Sequence, residues 1–135
     1  MPIATVLTLG ELPELADLQP IAVDPDDNES IPLIARVCAA ITRLAPAPPL
    51  VIVAEGEWAK LLPGIALAQR AARRAVRAYV LVDPVLPAVS EQWPEARVHA
   101  LGRPGFDLRT CELRGWDTHQ VSDLTGIVSR IRAEE

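Results

Sequence analysis

Apolar residues along this chain fall into short uninterrupted runs separated by stretches of helical period, the alternation from which parallel sheets are built. Ile3 to Leu9, bounded by Pro2 and Gly10, is long enough for a buried strand, and Gln19 to Asp24 repeats the signature. Asn28-Glu29-Ser30-Ile31-Pro32 then offers capping side chains and a proline near a first turn. Ile34, Val37, Cys38, Ile41 and Leu44 recur at helical spacing, which predicts an amphipathic helix ended by Pro46. A strand over 50–54 follows, then a turn and an alanine-rich helix from about Trp58 to Arg74, whose regular start Pro63-Gly64 should kink or delay. Val76 to Val82 is the next apolar strand.

The pattern is less regular further on. Ala96 to Leu101 and Arg109 to Leu113 both read as short strands, yet only the seven residues Gly102 to Leu108 separate them. A parallel crossover needs a dozen or more. Either the two pair as an antiparallel edge hairpin within 96–114, or one of them is not a strand. Val121, Leu124, Ile127, Val128 and Ile131 make the apolar stripe of a final helix, with Thr118 or Ser122 as its cap. The expected fold is therefore α/β and three-layered, a mostly parallel sheet of about five or six strands with helices on both faces.

Composition narrows the function classes. A chain of 135 residues, 50% hydrophobic and 23% charged, suits one domain over 1–135. Aromatic residues make up only 4%, so Ala, Val, Leu and Ile should fill the interior. No apolar run reaches the ~18 residues of a membrane span, and the first residues lack a secretory pattern, so a cytoplasmic protein is expected. Net charge is −5, with 12 arginines and one lysine, which argues against a broad nucleic-acid-binding surface. Arg70, Arg73, Arg74 and Arg77 cluster, most simply as a solvated helix face. Cys38 falls in a helical pattern and Cys111 in a strand pattern, without metal-type spacing, so both are expected to be reduced, buried small hydrophobes. No cofactor is expected.

The segment Val51-Ile52-Val53-Ala54-Glu55-Gly56-Glu57-Trp58, followed by Leu61-Leu62-Pro63, resembles the centre of an α/β-hydrolase whose nucleophile has been removed. In that family a buried strand enters a strained G-x-S-x-G turn and then a helix. The resemblance puts Gly56 in the place of the serine, and a glycine cannot form an acyl-enzyme. It extends to most of the chain, as a small member without a cap and without the family's first two strands. Ile3 to Gly10 is similar to the strand whose following loop supplies an oxyanion-hole amide. Ile21-Ala22-Val23-Asp24-Pro25 is similar to a strand and polar loop that usually carry glycines, absent here. Asp83-Pro84 matches the end of a strand where some members hold their catalytic acid, and His119 matches the family's histidine ahead of the last helix.

The resemblance thus implies Glu57, Glu55, His119 and Asp83 as catalytic candidates, with Gly10, Glu11, Gly56 and Trp58 lining a substrate site. Each has an ordinary alternative. Glu55 and Glu57 beside a strand end suit a ligand crevice, or are solvated residues favouring a helix N-terminus. His119 suits proton transfer near neutrality, or belongs to a helix cap. Asp83 orients His119, or starts a turn. Trp58 lines a pocket or packs in the core. His99, inside an apolar pattern, reads as structural.

Three function classes follow. The first is a non-serine enzyme using acid/base chemistry, such as isomerisation, cyclisation, dehydration or epimerisation of a hydrophobic small-molecule substrate. The Ala-, Arg- and Pro-rich composition suggests a high-GC bacterium, and such chemistry suits its natural-product pathways. The second is a non-catalytic pseudo-hydrolase that binds a ligand or stabilises a partner protein. The third is a hydrolase using an activated water. Unpaired edges of a shortened sheet predict a homodimer or a partner protein.

Overall fold

The computed structural model describes residues 3–86 and 96–133. Six strands form one sheet in the order β2-β1-β3-β4-β5-β6, every neighbouring pair parallel. They are β1 (Thr5–Leu9), β2 (Ile21–Ala22), β3 (Leu50–Glu55), β4 (Val76–Val82), β5 (Arg97–Gly102) and β6 (Asp117–Gln120). Between them run α1 (Leu33–Leu44), α2 (Leu62–Ala71), α3 (Arg109–Leu113) and the closing α4 (Leu124–Ala133), with 3-10 helices at Pro13–Leu18 and Gly56–Leu61. Among the described residues no helix is long and apolar enough to cross a membrane.

The uninterrupted runs of β3 and β4 follow from burial on both sides. Leu7, Ile52, Tyr79 and Leu81 face α1 and α2, packing on Val37, Ile41, Leu62 and Ile65. Val6, Val51, Val53, Val80 and Val82 point the other way, against Leu15 and Leu18 of the first 3-10 helix and Leu124, Val128 and Ile131 of α4. Each such side chain contributes roughly 1.5–3 kcal/mol by leaving water, so the two faces together hold the three layers. α3 covers Ala100 on the same face as α1 and α2, through Leu108 and Cys111.

Several local expectations are corrected. The hairpin within 96–114 does not form: residues 109–113 are the helix α3, and β5 pairs in parallel with β6. The fourteen residues 103–116 between the two strands satisfy the length a parallel crossover needs. Cys111 therefore sits in a helix, buried as expected, and Cys38 is half-buried in α1. Burial pushes both thiols above their ordinary range.

Asn28 and Ser30 do not cap α1. The Asn28 side chain accepts from the amide and hydroxyl of Ser30, forming a turn ahead of Pro32, the residue at the cap position. Thr118 belongs to β6, and it is Asp123 whose carboxylate accepts the Gly126 N–H at the start of α4. Pro63 does delay its helix: the turn runs as a 3-10 helix to Leu61, and α2 starts at Leu62 with the proline in its first turn. β2 is shorter than expected, two residues at an edge. In the arginine cluster, Arg74 donates to Gln69 at 2.5 Å and Arg77 to the Arg132 carbonyl. Trp116 packs partly buried beneath Arg114, 5.4 Å from its ring centre, and Trp93 lies outside the described residues.

Candidate functional site

Strand order locates the site. From β1 the chain goes one way to β2, then returns past β1 to build β3 through β6, so the order reverses between β1 and β3. Open parallel sheets bind ligands outside the carboxyl ends of their strands at such a reversal. The residues at those ends here are Gly10 after β1, Glu55 and Gly56 at β3, Asp83 after β4 and Arg103 after β5.

The backbone turns sharply at three of these positions. Gly10, Gly56 and Asp83 have φ of 97°, 59° and 44°. Gly56 makes the strand-to-helix turn, and a side chain there would meet no atom within 4 Å. The turn is tied to the next strand end by the Val85 N–H, which donates to the Gly56 carbonyl at 3.0 Å. Gly10 is the opposite case: a Cβ there would lie 2.9 Å from Trp58 Cδ1 and 3.2 Å from Glu55 Cβ. Trp58 and Glu55 thus occupy the space over Gly10, between the two strands of the reversal.

Arg103 organises the rest. Its guanidinium makes a two-pronged contact with Glu14, Nε to Oε2 at 2.7 Å and Nη2 to Oε1 at 3.2 Å. Nη1 donates to Asp83 Oδ2 at 3.0 Å and lies 3.5 Å from Glu55 Oε2. The Arg103 backbone N–H donates to the other Asp83 oxygen at 2.9 Å. One cation thereby joins the 3-10 helix after β1, the end of β3 and the end of β4. The hydrogen bond from Arg103 holds the Glu14 carboxyl below its ordinary pKa, and Glu14 in turn raises that of Arg103.

The remaining candidates stand apart from this cluster. Glu57 has an 80% exposed side chain, 4.0 Å from Lys60 Nζ, and Glu11 is exposed. With Leu33, Trp58, Lys60 and Leu61, Glu57 borders a depression of about 220 Å³. His119 precedes α4 but lies within the strand β6, in register with Leu101, and its ring stacks on that of His99 beside α4. Glu57 belongs to the turn leading into α2, on the opposite face. Three strand spacings, about 14 Å, separate β3 from β6. The structure brings Glu55 and Asp83 together through Arg103 and does not bring Glu57 to His119, nor Asp83 to His119.

Because Glu57 is solvated, Glu57→Gln should shift stability by less than about 0.5 kcal/mol, as exposed ion pairs do. A loss above 1 kcal/mol by thermal melting would show that the carboxylate carries structure.

Arg103 and Glu14 are the residues that sequence reasoning missed. The available signal was positional: the first residue beyond each apolar run reads Gly10, Glu55-Gly56, Asp83 and, after Gly102, Arg103.

Fold and site together define an all-parallel α/β protein with an ion-paired strand-end cluster at its topological reversal. Comparison with protein-family models, curated proteins and solved structures finds no match.

Proposed function

We propose that this chain is a non-catalytic binding module of α/β-hydrolase type, a pseudo-hydrolase that holds a hydrophobic ligand or a partner protein. One observation carries the reading: Arg103 donates to Glu14 and Asp83 and lies 3.5 Å from Glu55, so these three carboxylates around the strand ends already share one cation. Gly56 supplies no nucleophile. Its positive φ and the open space above it suit the residue that would stand in for an elbow serine. Binding would use the depression of Leu33, Trp58 and Leu61, with Glu57 and Lys60 on its rim. At about 220 Å³ it is below the ~300–1,000 Å³ of drug-sized pockets, and suits a small ring or a partner's apolar side chain.

Native mass spectrometry of freshly purified protein tests this. The expected species is heavier than the 14.6 kDa chain, through a retained hydrophobic ligand or a second protein copy, and Trp58→Ala should release it. A bare monomer would count against the reading. Gly56→Ser should fold, with about 1–3 kcal/mol of backbone strain, and show no esterase activity, because His99 and His119 lie in β5 and β6 beside α4. A burst of ester hydrolysis from this variant would overturn the placement of His119.

The position of Glu57 on the rim of the same depression favours a second reading, an acid/base enzyme. A positioned carboxylate contributes about 10² to 10⁴ in rate, sufficient for isomerisation or cyclisation of an apolar substrate. Under that reading Glu57→Gln abolishes turnover of a bound ligand while the melting temperature stays the same.

A further inference from the structure

We propose that the cavity beside the carboxyl end of α2 binds a small organic acid, its carboxylate held by Gln69, Arg70 and Arg74 and its apolar body against the cavity wall. The cavity measures about 390 Å³, within the ~300–1,000 Å³ of small-molecule sites. It lies at the amino ends of β4 and β5, apart from the depression around Trp58. Gln69 is the informative residue, a polar side chain only 1% exposed. The chain turns back at Arg73, with φ of 57°, so that the Arg74 N–H donates to the Gln69 carbonyl at 2.9 Å and its Nη1 to Gln69 Oε1 at 2.5 Å. That second bond orients the amide, leaving Nε2 with two N–H groups to donate. Among the described residues nothing accepts from Nε2, yet it is not sealed off, so it faces the cavity that Gln69 lines. Buried donors without a partner are rare, and this one is placed to serve a ligand.

Charge selects the sign of that ligand. Arg70 and Arg74 line the same cavity, and no carboxylate does so among the described residues. Neither guanidinium forms an ion pair there. The end of α2 supplies roughly half a negative charge, which two full cations outweigh. The site is thus positive in a chain of net charge −5. A carboxylate has two oxygens and about four lone-pair positions, enough for both guanidinium groups and the Gln69 amide. The rest of the wall is apolar, from Ala66, Val76 and Ala96 with the ring of Tyr79. Burial pushes the Tyr79 phenol up to about 12, so it adds no negative charge near neutrality. A purely inorganic oxyanion would satisfy the donors and leave this wall uncovered.

The test follows the Gln69 side-chain amide and the Arg74 Nε–H by NMR during titration with sodium benzoate at pH 7, with sodium chloride holding the ionic strength constant. The expected result is a saturable shift of both groups. Benzamide has the same shape without the charge and should bind about tenfold more weakly, because its hydrogen bonds lose charge assistance. Acetate should also bind about tenfold more weakly, because it covers little of the apolar wall. Arg70→Ala, at an exposed position, should weaken benzoate by about tenfold without moving the melting temperature. Gln69→Glu keeps the acceptor that Arg74 uses and replaces the N–H donor with a carboxylate oxygen, so it should abolish binding. Trp58→Ala should bind benzoate like the parent, which keeps this site distinct from the depression proposed above. Shifts no larger than chloride produces, or an Arg70→Ala variant that binds like the parent, would overturn the site. Sulfate binding as tightly as benzoate would overturn the assignment to an organic acid.

Discussion

Arg103→Leu should lower the thermal unfolding midpoint at pH 7 by about 6–10 °C. The side chain is 29% exposed and makes charge-assisted hydrogen bonds to Glu14 and Asp83, with Glu55 at 3.5 Å. Bonds to charged groups contribute about 1.5–3 kcal/mol each, which solvent screening at this exposure reduces to about 2 kcal/mol for the set. For a chain of this size each kcal/mol moves the midpoint by about 3–5 °C. Leucine also leaves three carboxylates facing one another. The pH dependence has a definite sign. Glu14 titrates below its ordinary value of 4.5 when folded, so its share of the stabilisation is present above that value and lost as pH falls through the folded pKa. The gap between parent and variant should therefore be widest near neutrality and narrow toward pH 3. Differential scanning calorimetry at both ends of that range measures it, and a gap that stays constant would mean that Arg103 acts by packing and not by charge.

Gly10→Ala is expected to cost more, about 3 kcal/mol, and a matched substitution shows why. Gly10 and Gly105 have nearly the same φ, 97° and 92°, a conformation that side chains rarely adopt. Around Gly105 no atom would meet a new Cβ, whereas at Gly10 it would lie 2.9 Å from Trp58 and 3.2 Å from Glu55. Gly105→Ala should thus report backbone strain alone, about 1–2 kcal/mol. The excess in Gly10→Ala measures how tightly Trp58 and Glu55 close the strand reversal, and should come with a change in Trp58 fluorescence. Equal losses at the two positions would mean that Trp58 moves aside freely and that the crevice opens at little cost.

These two experiments bear on function because they probe the same closure. The binding reading needs Arg103 and Trp58 to hold the strand ends as a rigid platform. An enzyme working in the crevice itself would need the opposite, a space over Gly10 that a ligand enters.

Most of the architecture was legible along the chain. β1, β3 and β4 are continuous apolar runs because parallel strands are buried on both faces, and α1 and α4 carry full stripes at helical period. β6 was not legible. Asp117-Thr118-His119-Gln120 is a four-residue edge strand without an apolar pattern, set by pairing with β5 and not by its own hydrophobicity. α3 misled for a related reason: five residues, Arg109 to Leu113, are too few to display a helical period.

The candidate site divides the same way. Gly10, Glu55, Gly56 and Asp83 are strand-end residues, and an apolar run announces its own end. Arg103 shares that signal, but its partners lie 89 residues away at Glu14 and 20 away at Asp83, distances that no local pattern spans. His119 shows the limit most clearly. Its register opposite Leu101 turns its ring to the face of α4, and a slip of one residue would have turned it to the other. What the sequence determined by itself is the set of buried strands and helices and the glycines and carboxylates at their ends, because burial and turn geometry act on neighbouring residues. Which carboxylates meet a cation, and which face a histidine serves, follow from the assembled sheet, because strand order and register are properties of all its strands together.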